Sequence, residues 1–272
     1  MTNPVCPVCG KKLAMEEKVW SCENRHCFDV ARQGYVNLLT VDRKHSRHPG
    51  DTREMVAARK AFLDAGYYLP IAEKVCALLG EFCPDAQNIL DAGCGEGYYL
   101  TRVQTRFPEA DLWGLDISRD AVRYAAVRNP RAHWLAGTAA ALPFEEQSFD
   151  AVLSMFALTA EGEFARVLRA GGVFLQVLAG EEHLMGLKHI IYPEILRRPK
   201  EQEKSLPGFT LMRHETLEFS FRLEENAQVR NLLSMTPHFW RISREGAEKL
   251  EHTETLEDRA QVVFNVYGKT SG

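Results

Sequence analysis

From residue 88 onward, short apolar runs alternate with stretches of helical spacing. Residues 89–90, 112–115, 133–135, 151–155 and 173–177 have the length and composition of buried strands. Residues 98–107 and 119–128, lying between them, carry helical patterns. Such alternation predicts βαβ units, and therefore a mostly parallel sheet of α/β, Rossmann-like type with helices on both faces. Upstream, Met55, Arg59, Phe62 and Leu63, then Ile71, Val75, Leu78 and Leu79, recur at helical intervals, and Asp51 or Thr52 is placed to cap the first helix. After about residue 180 the pattern loosens. Residues 183–221 read as an insertion, and residues 262–266 as the last strand.

Composition narrows this little. With 45% apolar and 26% charged residues among 272, the chain has ordinary globular proportions. No apolar run approaches the roughly 18 residues needed to span a bilayer, so no membrane association is expected. A basic stretch followed by an apolar one is missing from residues 1–10, so no signal peptide is expected either. The net charge of −4 excludes a globally basic nucleic-acid binder but not a local patch. Arg43-Lys44-His45-Ser46-Arg47-His48 is the best such patch, and Lys11, Lys12, Arg25 and Arg32 would extend it.

The strongest chemical signal is Asp91-Ala-Gly93-Cys-Gly95-Glu96-Gly97, which turns the chain from a strand into a helix. Glycines are needed where backbone turns tightly and approaches a ligand. Asp116, with Ile117 beside it, ends the second strand about 20 positions on, where a carboxylate can accept both ribose hydroxyls of an adenosine group. Asp91 decides between cofactors. A carboxylate directly after the first strand suits the ammonium of S-adenosylmethionine, whereas it would repel a pyrophosphate. The segment Gly137-Thr-Ala139-Ala-Ala-Leu142-Pro-Phe144 follows the third strand, where methyltransferases contact adenine. Residues 148–155 and 168–174 also have the form of their fourth and fifth strands.

Four of the seven cysteines lie in the first 27 residues, and the odd total argues against a secreted disulfide framework. In a chain without export signals the cluster points to metal, and the expected compartment is the cytoplasm. Cys6-x2-Cys9, a spacer of twelve, and Cys22-x3-His26 match tetrahedral zinc. Cys27, adjacent to His26, offers a C-x4-C alternative. A module this small has too little core to fold alone, so a metal would supply its stability.

A zinc module ahead of such a domain resembles the bacterial 23S ribosomal RNA guanine-N1 methyltransferases, the RlmA family. The likeness extends through Phe28-Asp29, Gly34-Tyr-Val-Asn-Leu-Leu39, Pro49-Gly-Asp51, the segment from Arg59 to Tyr68, Leu90 to Tyr99, His183-Leu-Met185 and Leu233 to Trp240. It implies a class I methyltransferase domain over residues 86–272, a zinc module over 1–35, and between them (36–85) a basic linker with a helical segment serving the cofactor site. It also implies one structural zinc on Cys6, Cys9, Cys22 and His26, and cofactor contacts from Tyr68, Gly95-Glu96-Gly97 and His183. The substrate implied is a hairpin of 23S ribosomal RNA, recognised by a homodimer. One departure stands out: after the fourth strand the family has a proline where this chain has Leu158.

Guanine N1 carries a proton that must be accepted, and Glu96, Glu161, Glu163 and His183 are the candidates; no catalytic residue is assigned. Tyr67, Phe156 and Trp240 are aromatics available to receive a displaced base. Two other readings compete. A small-molecule methyltransferase would share the cofactor loop but have no reason for the zinc module. An RNA-binding protein that retains cofactor with little turnover is suggested only by Leu158.

Overall fold

The structure, a computed structural model, describes residues 2–41, 49–195 and 205–270. The basic stretch at 43–48 lies outside them. The chain opens with a three-stranded antiparallel sheet of β1 (Ala14–Glu16), β2 (Val19–Ser21) and β3 (Cys27–Asp29), followed by β4 (Tyr35–Asn37). Helices α1 (Arg53–Asp64) and α2 (Leu69–Phe82) come next. Thr52, not Asp51, caps α1, its hydroxyl accepting from the Met55 amide.

The βαβ units follow: β5 (Asn88–Ala92), α3 (Tyr98–Arg106), β6 (Asp111–Asp116), α4 (Arg119–Arg128), β7 (His133–Ala136), β8 (Phe149–Met155), α5 (Glu161–Val167) and β9 (Leu168–Ala179). The chain ends with α6 (Met185–Ile191), β10 (Phe209–Leu223), α7 (Asn226–Ser234), α8 (Arg244–Glu251) and β11 (Leu256–Lys269). The main sheet has eight strands in the order β10-β11-β9-β8-β5-β6-β7-β4. Pairings from β4 through β9 are parallel, and β11 and β10 close one edge antiparallel. Strand order reverses between β5 and β8, which opens a crevice at their carboxyl ends where such folds bind ligands.

Two elements differ from the sequence reading. Residues 209–223, read as the end of an insertion, form the longest strand of the sheet. Their apolar positions alternate with polar ones (Leu217, Phe219, Phe221 and Leu223 against Glu218, Ser220 and Arg222), which is strand periodicity at a half-solvated edge. Residues 35–37 join the main sheet as its other edge, pairing in parallel with β7. The metal module thereby becomes continuous with the large sheet. One sheet face is covered by α2, α3 and α4; the other is covered by α5 together with Leu13, Trp20 and Cys22 of the module. Leu13 is fully buried there, a burial worth about 1.5–3 kcal/mol.

Candidate functional site

At the tip of β5 the backbone turns through Gly93 (φ +94°), Gly95 (+55°) and Gly97 (+81°) into α3. Space as well as conformation demands glycine here. A Cβ on Gly97 would lie 2.7 Å from the Trp134 ring and 2.9 Å from the Ala125 methyl, and one on Gly93 would lie 2.6 Å from the Ala157 methyl. The Gly93 and Cys94 amides both donate to the Leu115 carbonyl, holding the turn against β6.

Asp91 lies beneath this turn, fully buried. Neither of its carboxylate oxygens has a hydrogen-bond partner among the described residues. Burial, with Asp116 and Glu96 nearby, pushes its carboxyl up to about 8. A buried carboxylate left unpartnered is costly, and an ammonium group arriving in the crevice would satisfy it. Asp116 is already engaged: its two oxygens accept from the Gly95 amide at 2.9 Å and the Ser118 amide at 2.8 Å. A carboxylate has about four acceptor sites, so room remains for two ribose hydroxyls. Ile117, half-buried, is covered by Gly50, and the Asp51 carbonyl accepts from the Ser118 hydroxyl at 2.8 Å. This residue-50 segment therefore closes over the tip of β6.

Glu96 is buried and paired with Arg128 at 3.1 Å; Arg128 also donates to the Glu96 carbonyl and to Asp64. Its carboxyl is raised by burial. Ala139 lies in a short helical turn (Ala139–Ala141) after β7. Leu142 is buried, and its amide donates to Glu163 at 2.6 Å, while Arg166 binds Glu163 and the Leu142 and Phe144 carbonyls. Leu142 thus anchors the loop that Ala139 presents. Tyr68 and His183, 115 positions apart, meet at 3.2 Å. The Gln261 amide donates to His183 Nδ1, which leaves the ring proton on Nε2 to donate to the Tyr68 hydroxyl. Burial raises the Tyr68 phenol. Phe156 stands beside both rings, its centroid 6.3 Å from Tyr68 and 6.1 Å from His183.

Of the proton-acceptor candidates, Glu96 is held by Arg128, Glu163 by Arg166 and the Leu142 amide, and His183 through both ring nitrogens. Glu161, the fourth, sits in the first turn of α5. Among the aromatics, Tyr67 packs on Phe62 and Phe221, and Trp240 stands 67% exposed against Phe239. Lys11 and Lys12, read as part of a basic patch, pair with Glu23 and Glu145, both at 2.9 Å. Arg59 escaped the sequence reading as a site residue. It pairs with Asp51, donates to the Met235 carbonyl at 3.1 Å and passes over Gly95. Only its place inside a family-like segment hinted at this, because its partners lie 8 and 176 positions away.

In the N-terminal module Cys9 Sγ and Cys22 Sγ are 3.7 Å apart, and His26 Nδ1 is 3.4 Å from Cys22 Sγ and 3.5 Å from Cys6 Sγ. All four ligand atoms lie within 4.8 Å of one another. Tetrahedral zinc spaces sulfur and nitrogen ligands by roughly 3.5–3.8 Å, given its bond lengths, so the set fits. The Lys11 backbone amide holds the Cys9 thiol down to about 6, favouring the thiolate. Cys27 is exposed and turned toward the Arg25 carbonyl.

Comparison with known proteins agrees with both halves. The family model described as "RlmA, N-terminal", a zinc ribbon, matches residues 5–47, and one described as "Methyltransferase domain" matches residues 89–172. The 23S rRNA (guanine(748)-N(1))-methyltransferase of Streptomyces fradiae is 37% identical over 86% of this chain and 85% of its own. The chain belongs to the RlmA family of 23S rRNA guanine-N1 methyltransferases. YxjB of Bacillus subtilis, provisionally named a 23S rRNA (guanine-N(1)-)-methyltransferase, is 28% identical over 93% of this chain and 92% of its own. Among solved structures, the YcgJ protein of Bacillus subtilis aligns over 74% of this chain and 100% of its own, at 16% identity and a TM-score of 0.47. In this RlmA chain the class I methyltransferase sheet and the zinc ribbon are one continuous body. Among the described residues, no helix is long and apolar enough to cross a membrane.

Proposed function

We infer that the protein is an S-adenosylmethionine-dependent methyltransferase acting on N1 of a guanine in 23S ribosomal RNA. The observation that carries this reading is the match to the Streptomyces fradiae enzyme, which spans the zinc ribbon and the methyltransferase domain together. The partnerless, buried Asp91 supports the cofactor. S-adenosylmethionine supplies a methyl on a sulfonium, whose leaving group is already activated.

The residues around it orient and enclose. In this proposal Asp91 accepts from the cofactor ammonium, Gly93, Gly95 and Gly97 give it backbone access, and Asp116 with Ile117 holds the ribose. Ala139 meets the adenine, with Leu142 anchoring that loop. Glu96, fixed by Arg128, shapes the turn. Tyr68, oriented by His183, has its hydroxyl hydrogen left to bond the cofactor. Cys6, Cys9, Cys22 and His26 hold one structural zinc with no position left open for substrate.

RNA binding rests on phosphate contacts. We assign these to Arg43, Lys44 and Arg47, with Arg25 and Arg32 on the module. The substrate is a ribosomal hairpin met by a homodimer in the cytoplasm. The test is transfer of labelled methyl to an unmodified 23S hairpin transcript, with the site mapped by primer extension. An arrest at one guanine is expected, since an N1 methyl blocks pairing. A protein that binds the cofactor yet leaves the RNA unlabelled would overturn the reading.

A further inference from the structure

The residues just after β8 are shaped in a way that core packing does not explain. Along β8, Leu153 and Met155 face the core on the α2–α4 side, and Ser154 is buried on the other. Continued alternation would send Phe156 the way of Ser154. Instead Phe156 takes a φ of +53°, with its amide held by the Val177 carbonyl at 2.9 Å. A bulky residue in this region is an outlier, and such strain gathers at functional sites.

The consequence is positional. The left-handed turn returns the Phe156 ring to the side of Tyr68 and His183, tilted by 33° and 31° to their planes. The next residue, Ala157, packs on Gly93, the first glycine of the cradle. Tyr68 and His183 are buried to 3% and 8% exposure, whereas Phe156 keeps 39%. It is thus the outermost ring of a three-ring wall at the cofactor crevice. Leu158, two residues on, is 89% exposed. One exposed leucine is ordinary, but this one projects from the strained turn beside the crevice.

We propose that Phe156 is the face on which the target guanine stacks and that Leu158 is the apolar wedge entering the RNA stack the guanine vacates. The proposal rests on the ribosomal-guanine reading above. A base inside a hairpin must leave its stack to reach the methyl donor, and it then needs both a flat partner and a filler for the gap. Tyr67 is occupied by Phe62 and Phe221, and among the described residues the Trp240 ring meets Phe239 and no ring of the crevice wall.

The test compares Phe156→Leu, Phe156→Trp and Leu158→Ala with the unaltered protein. Substrates are the ribosomal hairpin and a single-stranded oligonucleotide carrying the same guanine. Stacking of one base on an aromatic ring is worth roughly 5- to 150-fold in affinity. Phe156→Leu is therefore expected to lower kcat/KM for RNA by about that factor at unchanged cofactor Kd, and Phe156→Trp to retain most of it. Leu158→Ala, a surface change with little to unfold, is expected to lower the hairpin-to-single-strand ratio of kcat/KM. Wild-type rates in both Phe156→Leu and Leu158→Ala would overturn this proposal alone. A parallel loss of cofactor affinity in Phe156→Leu would also overturn it, by making the ring a cofactor support. No label in RNA from the unaltered protein would overturn the underlying reading and this one with it.

Discussion

Asp91 concentrates the electrostatics of the site. Its carboxyl is raised to about 8, first by burial and then by Asp116 and Glu96. A raised acid contributes stability while protonated, and that contribution fades as pH climbs from the ordinary carboxylate range through 8. The cofactor-free protein should therefore lose thermal stability between about pH 4 and 8 and level off above that, and Asp91→Asn should remove part of that loss. Cofactor binding runs the other way. Its ammonium needs the ionised carboxylate, so binding near neutral pH must expel a proton. Cofactor Kd should then tighten as pH rises toward 8, by at most tenfold per unit. Calorimetry in buffers of different ionisation heat would show the released proton. A pH-independent Kd, or an Asp91→Asn variant that keeps both affinity and proton release, would refute this role.

At the scale of elements, the turn into α3 is fixed by what stands behind Gly97. The Trp134 indole cannot yield, because its N–H donates to the Asn129 carbonyl at 2.7 Å and the ring is 2% exposed. Gly97→Ala should therefore cost about 2–4 kcal/mol, combining a left-handed backbone with overpacking. Chemical denaturation would measure it, and a cost below about 0.5 kcal/mol would mean the turn relaxes freely. The parallel strands, the glycine turn and the metal spacing were legible because each is a local pattern. Less so were β10, whose alternation is diluted by exposed polar positions and broken by a bulge near Met212, and β4, three residues long and paired a hundred positions away. The Arg59, Arg128 and Glu163–Arg166 clamps were hidden for a similar reason. Nothing in a lone charged residue names the backbone carbonyl or acid it will meet across the fold. The basic stretch at 43–48 was read from charge alone, and its role rests on the RNA-binding proposal.

For the whole molecule, the consequence is that the zinc ribbon and the cofactor crevice share structure. The loop after β7 is gripped at both ends by the N-terminal module. At its start the Leu38 amide donates to the Ala136 carbonyl, and at its end the Val5 amide donates to the Pro143 carbonyl, both at 2.8 Å. Val5 immediately precedes the ligand Cys6, and Pro4 bridges Phe144. Trp20 meets Trp113 edge-on at 6.4 Å, and Trp113 meets Phe144 at 5.3 Å. Because so small a module depends on its metal to fold, removing zinc should loosen that loop and with it the adenine contact proposed for Ala139. Chelation, or His26→Ala, is expected to lower the melting temperature and weaken cofactor affinity, and zinc should restore both in the chelated protein. Linkage makes the effect reciprocal: whatever factor zinc adds to cofactor affinity, cofactor must add to zinc affinity. Competition against a chromogenic chelator, with and without S-adenosylmethionine, would measure that second half. Equal zinc affinities in the two conditions would show that the ribbon is joined to the sheet but energetically independent of the crevice.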